Sequence, residues 1–477
     1  MSLQAKVYRW RWWLLGVALI TLLPFFAYLF VALTPDAPEP DDGDLALRFG
    51  AGEADADTPL LGDRVGQATV RLRAASEDFS NDALLRLQAW FSDDFSEWDA
   101  ALAERYLEAN AETLSQFEAI ALDADARFGV DAVLLDPRDT EALFGLTGLQ
   151  RLRVTHALRT DQAEVALVEL GLLSFWTSRL MQGGCDMVRV AASFDAHEQS
   201  IEAMLEVAAV LSEEPDFDEA WVSLIGVLSS RERQLFRPRA LFADVMRGEY
   251  HQRRLLLAAI VRGDEISWMS PQEGQAMRTL HGAGLFKPNA AQLELVRAYR
   301  ALLERWERLA GEAVLPENLA EAPYAVPGSS PRFLELATSL NPGGLYYMRR
   351  AGALLPQAEF LEAWRRLGIF QIRSAQIELA ARAYQADHEG ALPPDLAALV
   401  PDYLETVPQD PFALDERPLR YDGAAGQIAS VGIDAQADAT LFPVVLDRGD
   451  VQERLNLRRR LREPLRVLLA SPGETGP

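Results

Sequence analysis

Cysteine is almost absent from this chain of 477 residues, which carries one thiol, Cys185. An intramolecular disulfide therefore cannot form, and a zinc site built on cysteine ligands is excluded. Histidine is scarce as well, and no two histidines have the i, i+4 spacing of zinc ligands on one helical face. The five histidines are His156, His197, His251, His281 and His388.

Positive charge is in short supply, since the formal net charge is -25. This balance excludes nucleic acid as the main partner, because binding to phosphates requires a basic surface. Lys6 and Lys287 are the only lysines, and arginine supplies the rest of the positive charge. Serine hydrolase, phosphate-loop and dinucleotide-binding motifs are all missing. The sequence therefore favours a protein without catalytic function over an enzyme.

Residues 12–33 form an uncharged apolar stretch, long enough as a helix to cross a hydrocarbon core of about 30 Å. A cleaved signal peptide is the competing interpretation, but its apolar region is usually only about 7 to 15 residues long. Basic residues precede the stretch and acidic residues follow it, which favours a cytoplasmic N-terminus. We expect residues 1–33 to be a cytoplasmic stub and transmembrane anchor in a bacterial inner membrane. The bulk of the chain would then be periplasmic.

The rest of the chain divides by composition into a linker and a helical body. Residues 34–63 are acidic and rich in proline and glycine, which predicts a solvated linker. Residues 64–369 show apolar side chains at helical spacing, which predicts an all-α body. Within it, the sequence breaks at Thr160 and Asp161 into a helical hairpin, with either residue as N-cap of the second helix. An irregular bundle and an α-solenoid both fit this pattern.

Residues 232–250 mix charges with aromatic residues, which favours packed helices with exposed charges, with a cleft as the alternative. Arg233, Arg237, Arg239 and Glu249 lie within this segment. Brought together by folding, such carboxylates and arginines would serve an envelope hydrolase, which is the alternative function.

Two groups of acidic residues beside a histidine are better explained by helix structure than by a catalytic or metal site. Glu198 and Glu202 follow His197 at i, i+4 spacing, which predicts a solvated acidic face on a surface helix. Residues 387–389, Asp-His-Glu, come at the end of a helix, before a glycine suited to a left-handed C-cap at Gly390. Neighbours on a helix point about 100° apart, so these three side chains do not converge on one atom.

The C-terminal segment, residues 447–477, is predicted to contain a strongly basic helix. In an acidic chain it could dock on the chain's own body or on a partner protein, or lie on anionic lipid through its leucines. The basic residues are Arg454, Arg458, Arg459, Arg460, Arg462 and Arg466.

Before that segment, the order of motifs resembles the globular head of the major pseudopilins of type II secretion and related type IV pilin-like proteins. The matching stretches are "AQIELAARAYQADHEG", "ALPPDLAAL", "YLETVPQDPFA", "LRYD" and "SVGIDAQADA", within about residues 370–442. The resemblance implies a small α+β module over residues 370–446, with two or three short strands. It also implies a calcium ion in the loop after the last strands, where Asp434 and Asp438 match the family's ligands. Backbone oxygens near Ser430 would complete the site.

The chain departs from a pseudopilin at its N-terminus. It has no prepilin peptidase site and no glutamate inside the apolar helix, and the helical body separates anchor from module. We therefore expect no polymerisation as a pilin subunit. The predicted protein is mainly α, with one transmembrane helix, a bundle or solenoid body and a pilin-like module. Its predicted function is that of a membrane-anchored periplasmic scaffold that binds envelope proteins, in association with a secretion or pilus-like apparatus.

Overall fold

The structure is a computed structural model that describes residues 29–45, 61–91, 95, 97–123, 137–181, 187–211, 217–264, 271–312, 339–351, 358–424, 427–430 and 441–445. This part of the chain is mainly helical, with three short strands, so the predicted mainly α class is confirmed. The α-helices are α1 (Leu61–Ser76), α2 (Asn81–Phe91), α3 (Ala100–Ala109), α4 (Ala111–Leu122), α5 (Pro137–Arg159), α6 (Ala163–Met181), α7 (Met187–Leu211), α8 (Phe217–Arg231), α9 (Arg239–Arg262), α10 (Pro271–Gly282), α11 (Pro288–Arg308), α12 (Pro342–Ala351) and α13 (Ala358–Asp387). The strands are β1 (Arg420–Asp422), β2 (Gln427–Ser430) and β3 (Leu441–Val445).

The chain divides into two compact units. Unit 1 comprises Met1–Leu45, Tyr250–Arg300 and Tyr324–Leu355. Unit 2 comprises Ala46–Glu249, Ala301–Pro323 and Pro356–Pro477.

The helical core of unit 2 is an irregular bundle. Helices α5, α6 and α7 pack on one another, α5 also packs against α1, and α13 packs against α7 and α8. In a solenoid each repeat contacts only its neighbours, whereas these contacts join helices far apart in sequence. The described residues therefore favour the bundle among the two predicted architectures.

The predicted helical hairpin is present, and its break falls where the sequence places it. Helix α5 ends at Arg159 and α6 begins at Ala163. The predicted N-cap was wrong, because the carbonyl of Gln162 accepts the first bond of α6 from the amide of Ala166, at 3.0 Å. Asp161 adopts a left-handed backbone with φ of 58°, which is not the extended conformation of an N-cap residue.

Helix α7 is not the solvated surface helix that its acidic residues predict. His197 is fully buried, and Glu198 and Glu202 are only partly exposed. The helix carries apolar or small residues on several sides and is covered by α5, α6 and α13, so its charged residues lie at the edge of the core.

The C-terminal part of unit 2 contains one long helix followed by an antiparallel sheet. Helix α13 is 30 residues long and continues through residues 369 and 370, where the sequence predicts a boundary between body and module. A short 3-10 helix, Leu396–Leu399, follows, and the side chain of Asp395 caps it by accepting from the amide of Ala398. The sheet order is β1-β2-β3, with Ile428 opposite Tyr421 and Val444. The strands expected from "PLRYD" and "QIASVGI" are confirmed.

The side chains of the Asp-His-Glu group at the end of α13 do not converge on a common site. The ring of His388 stacks on Tyr384 with centroids 3.7 Å apart, while the carboxylate of Asp387 accepts from the Tyr403 hydroxyl at 2.6 Å. Glu389 and Gly390 both have left-handed φ values and turn the chain away. The helix ends at Asp387, as the C-cap signal predicts.

In unit 1, residues 36–44 form a strap along α11 rather than the solvated spacer that their composition predicts. The carboxylate of Asp36 caps α11 by accepting from the amides of Asn289 and Ala290, both at 3.0 Å. The carboxylate of Asp44 binds the guanidinium of Arg300 through two contacts of 2.7 and 2.8 Å. Asp36, Asp42 and Asp44 have basic and amide partners here, which explains why the stretch lies against the helix.

Asp42 is the most extensively bonded residue of the strap. It accepts from the Tyr250 hydroxyl at 2.6 Å, from Arg254 at 3.2 Å and from Gln292 at 3.3 Å. Burial alone would raise the pKa of Asp42, but the hydroxyl of Tyr250 and the guanidinium of Arg254 lower it on balance. Asp42 is therefore held as a carboxylate.

Among the residues that the structure describes, no helix combines the length and the apolar composition needed to cross a membrane. Most of the predicted anchor, residues 12–28, lies outside the described residues, and residues 29–33 are helical.

Candidate functional site: an arginine–glutamate cluster at the start of α13

The centre of the cluster is the carboxylate of Glu362, one turn into α13. This side chain is completely buried, as are most residues in the first turns of α13. Its oxygens accept from Arg239 at 2.7 Å, from Arg365 at 2.7 and 2.9 Å, and from Arg366 at 2.8 Å. One carboxylate thus joins α13 to the first turn of α9.

The same three arginines also bind backbone carbonyls at the ends of neighbouring helices. Arg239 donates to the carbonyl of Trp306 and lies over its ring, 4.3 Å from the centroid. Arg366 donates to the carbonyls of Leu309 and Glu312, where α11 ends. The carbonyl of Trp306 lies in the last turn of α11, at the negative end of the helix dipole, so a guanidinium group stabilises it there.

A second carboxylate, Glu232, belongs to a five-residue π-helix, Glu232–Phe236, that follows α8. It accepts from Arg237 at 2.9 Å and from Arg373 at 2.8 and 3.3 Å. Arg373 also donates to the carbonyl of Gln409 at 2.6 Å. Through Arg373 the π-helix is linked to the segment that precedes the sheet.

The π-helix also places Phe236 against α13. A Cβ atom at Gly368 would lie 2.2 Å from the Cε1 atom of this ring, so only glycine fits there. The wider turn of a π-helix shifts the side chains that follow it, and such turns are frequent where a helix serves a special contact. Here the contact is the close approach of Phe236 to the backbone of α13.

Beside Phe236 lies a buried pair, His197 and Arg231. The guanidinium of Arg231 contacts Nδ1 of His197 at 3.2 Å and donates to the hydroxyl of Ser200 at 3.0 Å. Burial, and then the charge of Arg231, hold the pKa of His197 well below its ordinary value, although the nearby backbone of Gly368 has a smaller, opposite effect. Arginine can only donate, so Nδ1 accepts and the imidazole is neutral with its proton on Nε2. Burial also lowers the pKa of Arg231, to about 10.

The electrostatics of the cluster suit it to holding helices together. Burial would raise the pKa of Glu362 and of Glu232, but contacts with arginines outweigh burial and lower both values. Both carboxylates therefore stay ionised at neutral pH, with guanidinium groups on their oxygens. A general acid or base needs a pKa closer to the working pH and room for a substrate. Neither of two surface depressions, one along α10 and one between α2 and α3, is lined by these residues.

The structure brings together only part of the predicted arginine and glutamate cleft. Arg237 and Arg239 join the cluster, whereas Arg233 is exposed and Glu249 is buried further along α9. Glu362 and Arg366 were not among the residues predicted from the sequence. Their signal was a pair of opposite charges at i, i+4 spacing, flanked by apolar residues on both sides, which is consistent with an ion pair in the core.

The predicted calcium ligands Asp434 and Asp438 lie outside the described residues, as do Cys185 and the basic segment 447–477. Ser430, expected near that site, ends β2, and its hydroxyl donates to the buried carboxylate of Asp410 at 2.8 Å. In the described part of the chain, histidine, cysteine and acidic side chains form no group of three that would hold a metal ion. Calcium binding therefore stays a prediction.

No protein-family model, no curated protein and no solved structure matches this chain.

Proposed function

We propose that the chain is a membrane-anchored periplasmic scaffold that binds other envelope proteins, as part of a secretion or pilus-like apparatus. Residues 12–33 would anchor it in a bacterial inner membrane, with the N-terminus in the cytoplasm. The pseudopilin-like module, residues 370–446, and the helical body would together present the binding surface.

The observation that carries this proposal is the continuity of α13 together with the Arg373 link. One uninterrupted helix is a core helix of the body and would also be the first element of the proposed module. Arg373 adds an ionic connection from Glu232 to the backbone at Gln409. A rigid connection of this kind suits a scaffold, because partners bound to body and module would be held at fixed separation.

Exposed apolar side chains on α6 offer a surface for such partners. Val168 and Phe175 are 66% and 54% exposed, and Val165 lies on the same face by helical spacing. Gly171 lies between them with open space above it. An uncovered apolar stripe in a chain of high net charge is typical of a protein-binding surface.

Site-specific photo-crosslinking in intact cells would test the proposal. A photoreactive amino acid at Val168 or Phe175 of the full chain should give discrete adducts with components of a secretion or pilus-like apparatus. The same probe at exposed Glu108 on α3 is the matched control and should give none. A Val168→Asp substitution should abolish the adduct formed from Phe175. Absence of discrete adducts from both positions would contradict the proposal.

A further inference from the structure

An open apolar groove of about 690 Å³ runs along α10 in unit 1. Its lining is mainly carbon, although polar residues contribute to it. The residues that line it are Gln272, Gln275, Ala276, Thr279 and Leu280. A groove of this size and character fits a hydrocarbon chain.

A buried lysine lies just beyond the end of this groove. The carbonyl of Leu280 accepts from the amides of Leu285 and Phe286, at 2.8 and 3.1 Å, so the turn after α10 folds back onto the groove's last residue. Lys287 follows directly and is only 6% exposed. Its Nζ has no hydrogen-bond partner among the described residues. Burying an ammonium group without a partner costs free energy, and an anion bound at this position would offset that cost.

The backbone around Lys287 is firmly held. The side chain of Asn341 accepts from the amide of Lys287 at 2.8 Å and donates to its carbonyl at 3.0 Å. Asn341 also caps α12 by accepting from the amide of Gly344 at 3.0 Å. The backbone of Lys287 is therefore fixed by hydrogen bonds in unit 1, between the starts of α11 and α12.

The turn that precedes Lys287 adjoins the point where the predicted anchor ends. A Cβ atom at Gly284 would lie 2.8 Å from the carbonyl oxygen of Ala32, so the turn after α10 packs directly against the last residues of the anchor stretch. The strap of residues 36–44 then fixes the chain to α11. If residues 12–33 cross the bilayer, the turn after α10, which precedes Lys287, lies next to the point where the chain leaves the bilayer.

We infer that unit 1 binds an anionic phospholipid, with an acyl chain in the α10 groove and the phosphate at Lys287. The groove supplies apolar contact, the lysine supplies the opposite charge, and the neighbouring anchor supplies access to the bilayer. This inference rests on the proposed membrane anchorage of the chain.

Native mass spectrometry of the full chain in a neutral detergent would test it. Phosphatidylglycerol should bind about tenfold more tightly than phosphatidylcholine of equal chain length, because only the former has net negative charge. Lys287→Met should remove this preference, while its melting temperature without lipid stays equal or rises because an unpaired buried charge is gone. Ala276→Trp should weaken both lipids by filling the groove. Arg297→Met, at an exposed arginine of α11, is the control and should bind like the unmodified chain.

Three outcomes would overturn the inference. The first is equal affinity for the two lipids, and the second is undiminished binding of phosphatidylglycerol by Lys287→Met. The third is inorganic phosphate competing as well as the lipid while Ala276→Trp has no effect, which would indicate a small-anion site instead. Membrane anchorage is measured separately, by reporter fusions after Gly43 and at Pro477. A failed anchor and a failed lipid site are therefore distinguishable.

Discussion

Replacing Glu362 by glutamine should destabilise unit 2 strongly, because it removes the one carboxylate shared by Arg239, Arg365 and Arg366. The side chain is completely buried, so water cannot replace the lost charge. The arginines keep their backbone carbonyls, which limits the damage. Removing one partner of a buried ion pair typically costs about 3 to 5 kcal/mol, and we expect a loss of unfolding free energy in that range.

Glu359→Gln provides the matched control on the same helix. Its carboxylate pairs with Arg305 at 2.6 Å, but both side chains are about one-third exposed. Exposed pairs contribute about 0 to 1 kcal/mol, so this variant should lose little. Both variants remove one charge from the first turns of α13, and they differ mainly in burial.

The assay is urea unfolding of the full chain in a mild detergent, followed by tryptophan fluorescence. Trp306 and Trp364 are both fully buried, and Arg239 lies over the ring of Trp306. The denaturation midpoint should fall clearly for Glu362→Gln and hardly at all for Glu359→Gln. A difference between the two variants of less than about 1 kcal/mol would refute the reasoning that burial of the carboxylate governs the effect.

Three further predictions follow from the same contacts. Gly368→Ala should lower the unfolding free energy by about 1 to 3 kcal/mol in the same urea assay, because its Cβ would overlap the Phe236 ring, whereas Gly171→Ala on α6 has open space and should be neutral or slightly stabilising. The pKa of His197 is lower in the folded chain than in the unfolded chain. The contribution of His197 to the free energy of unfolding is therefore complete above about pH 6.5 and decreases by about 1.4 kcal/mol for each pH unit below that value. His197→Asn should reduce this slope of unfolding free energy against pH, and an unchanged slope would contradict it, with His388→Asn as the exposed control. Asp42→Asn should speed amide hydrogen exchange in residues 36–45, because Tyr250 and Arg254 lose the carboxylate, whereas exposed Glu39→Gln should not.

Helices could be predicted well from the sequence because their signals are local. The break at Asp161, the end of α13 at Asp387 and the strands at Arg420 and Gln427 all depend on residues within a few positions of one another. The cluster could not be predicted, because Glu362 meets Arg239, and Glu232 meets Arg373, only through the tertiary fold. For Glu362 and Arg366 the i, i+4 spacing was visible, but whether that pair faces solvent or core depends on what α13 packs against.

The strap also could not be predicted from local sequence, because it was expected to be solvated and instead binds α11. An acidic stretch with prolines has the composition of a solvated linker, and nothing within residues 36–44 indicates otherwise. Its partners Asn289, Gln292 and Arg300 lie far along the chain, on a helix whose exposed face supplies amide and guanidinium donors. The composition of a segment predicts that the segment is solvated when it has no partner. It does not predict whether a complementary surface exists elsewhere in the chain.

The burial of α13 also bears on how the proposed pseudopilin-like module would act. A pilin subunit polymerises through an apolar helix that is free to pack against other subunits, and that helix leads directly into the head. Here the helix that leads into the module is already covered by α7, α8 and the π-helix, and its charged residues are bound within the same chain. Polymerisation through α13 would require breaking the Glu362 contacts and exposing the core of unit 2. The proposed module would therefore be better suited to present its sheet and loops to a partner than to enter a filament.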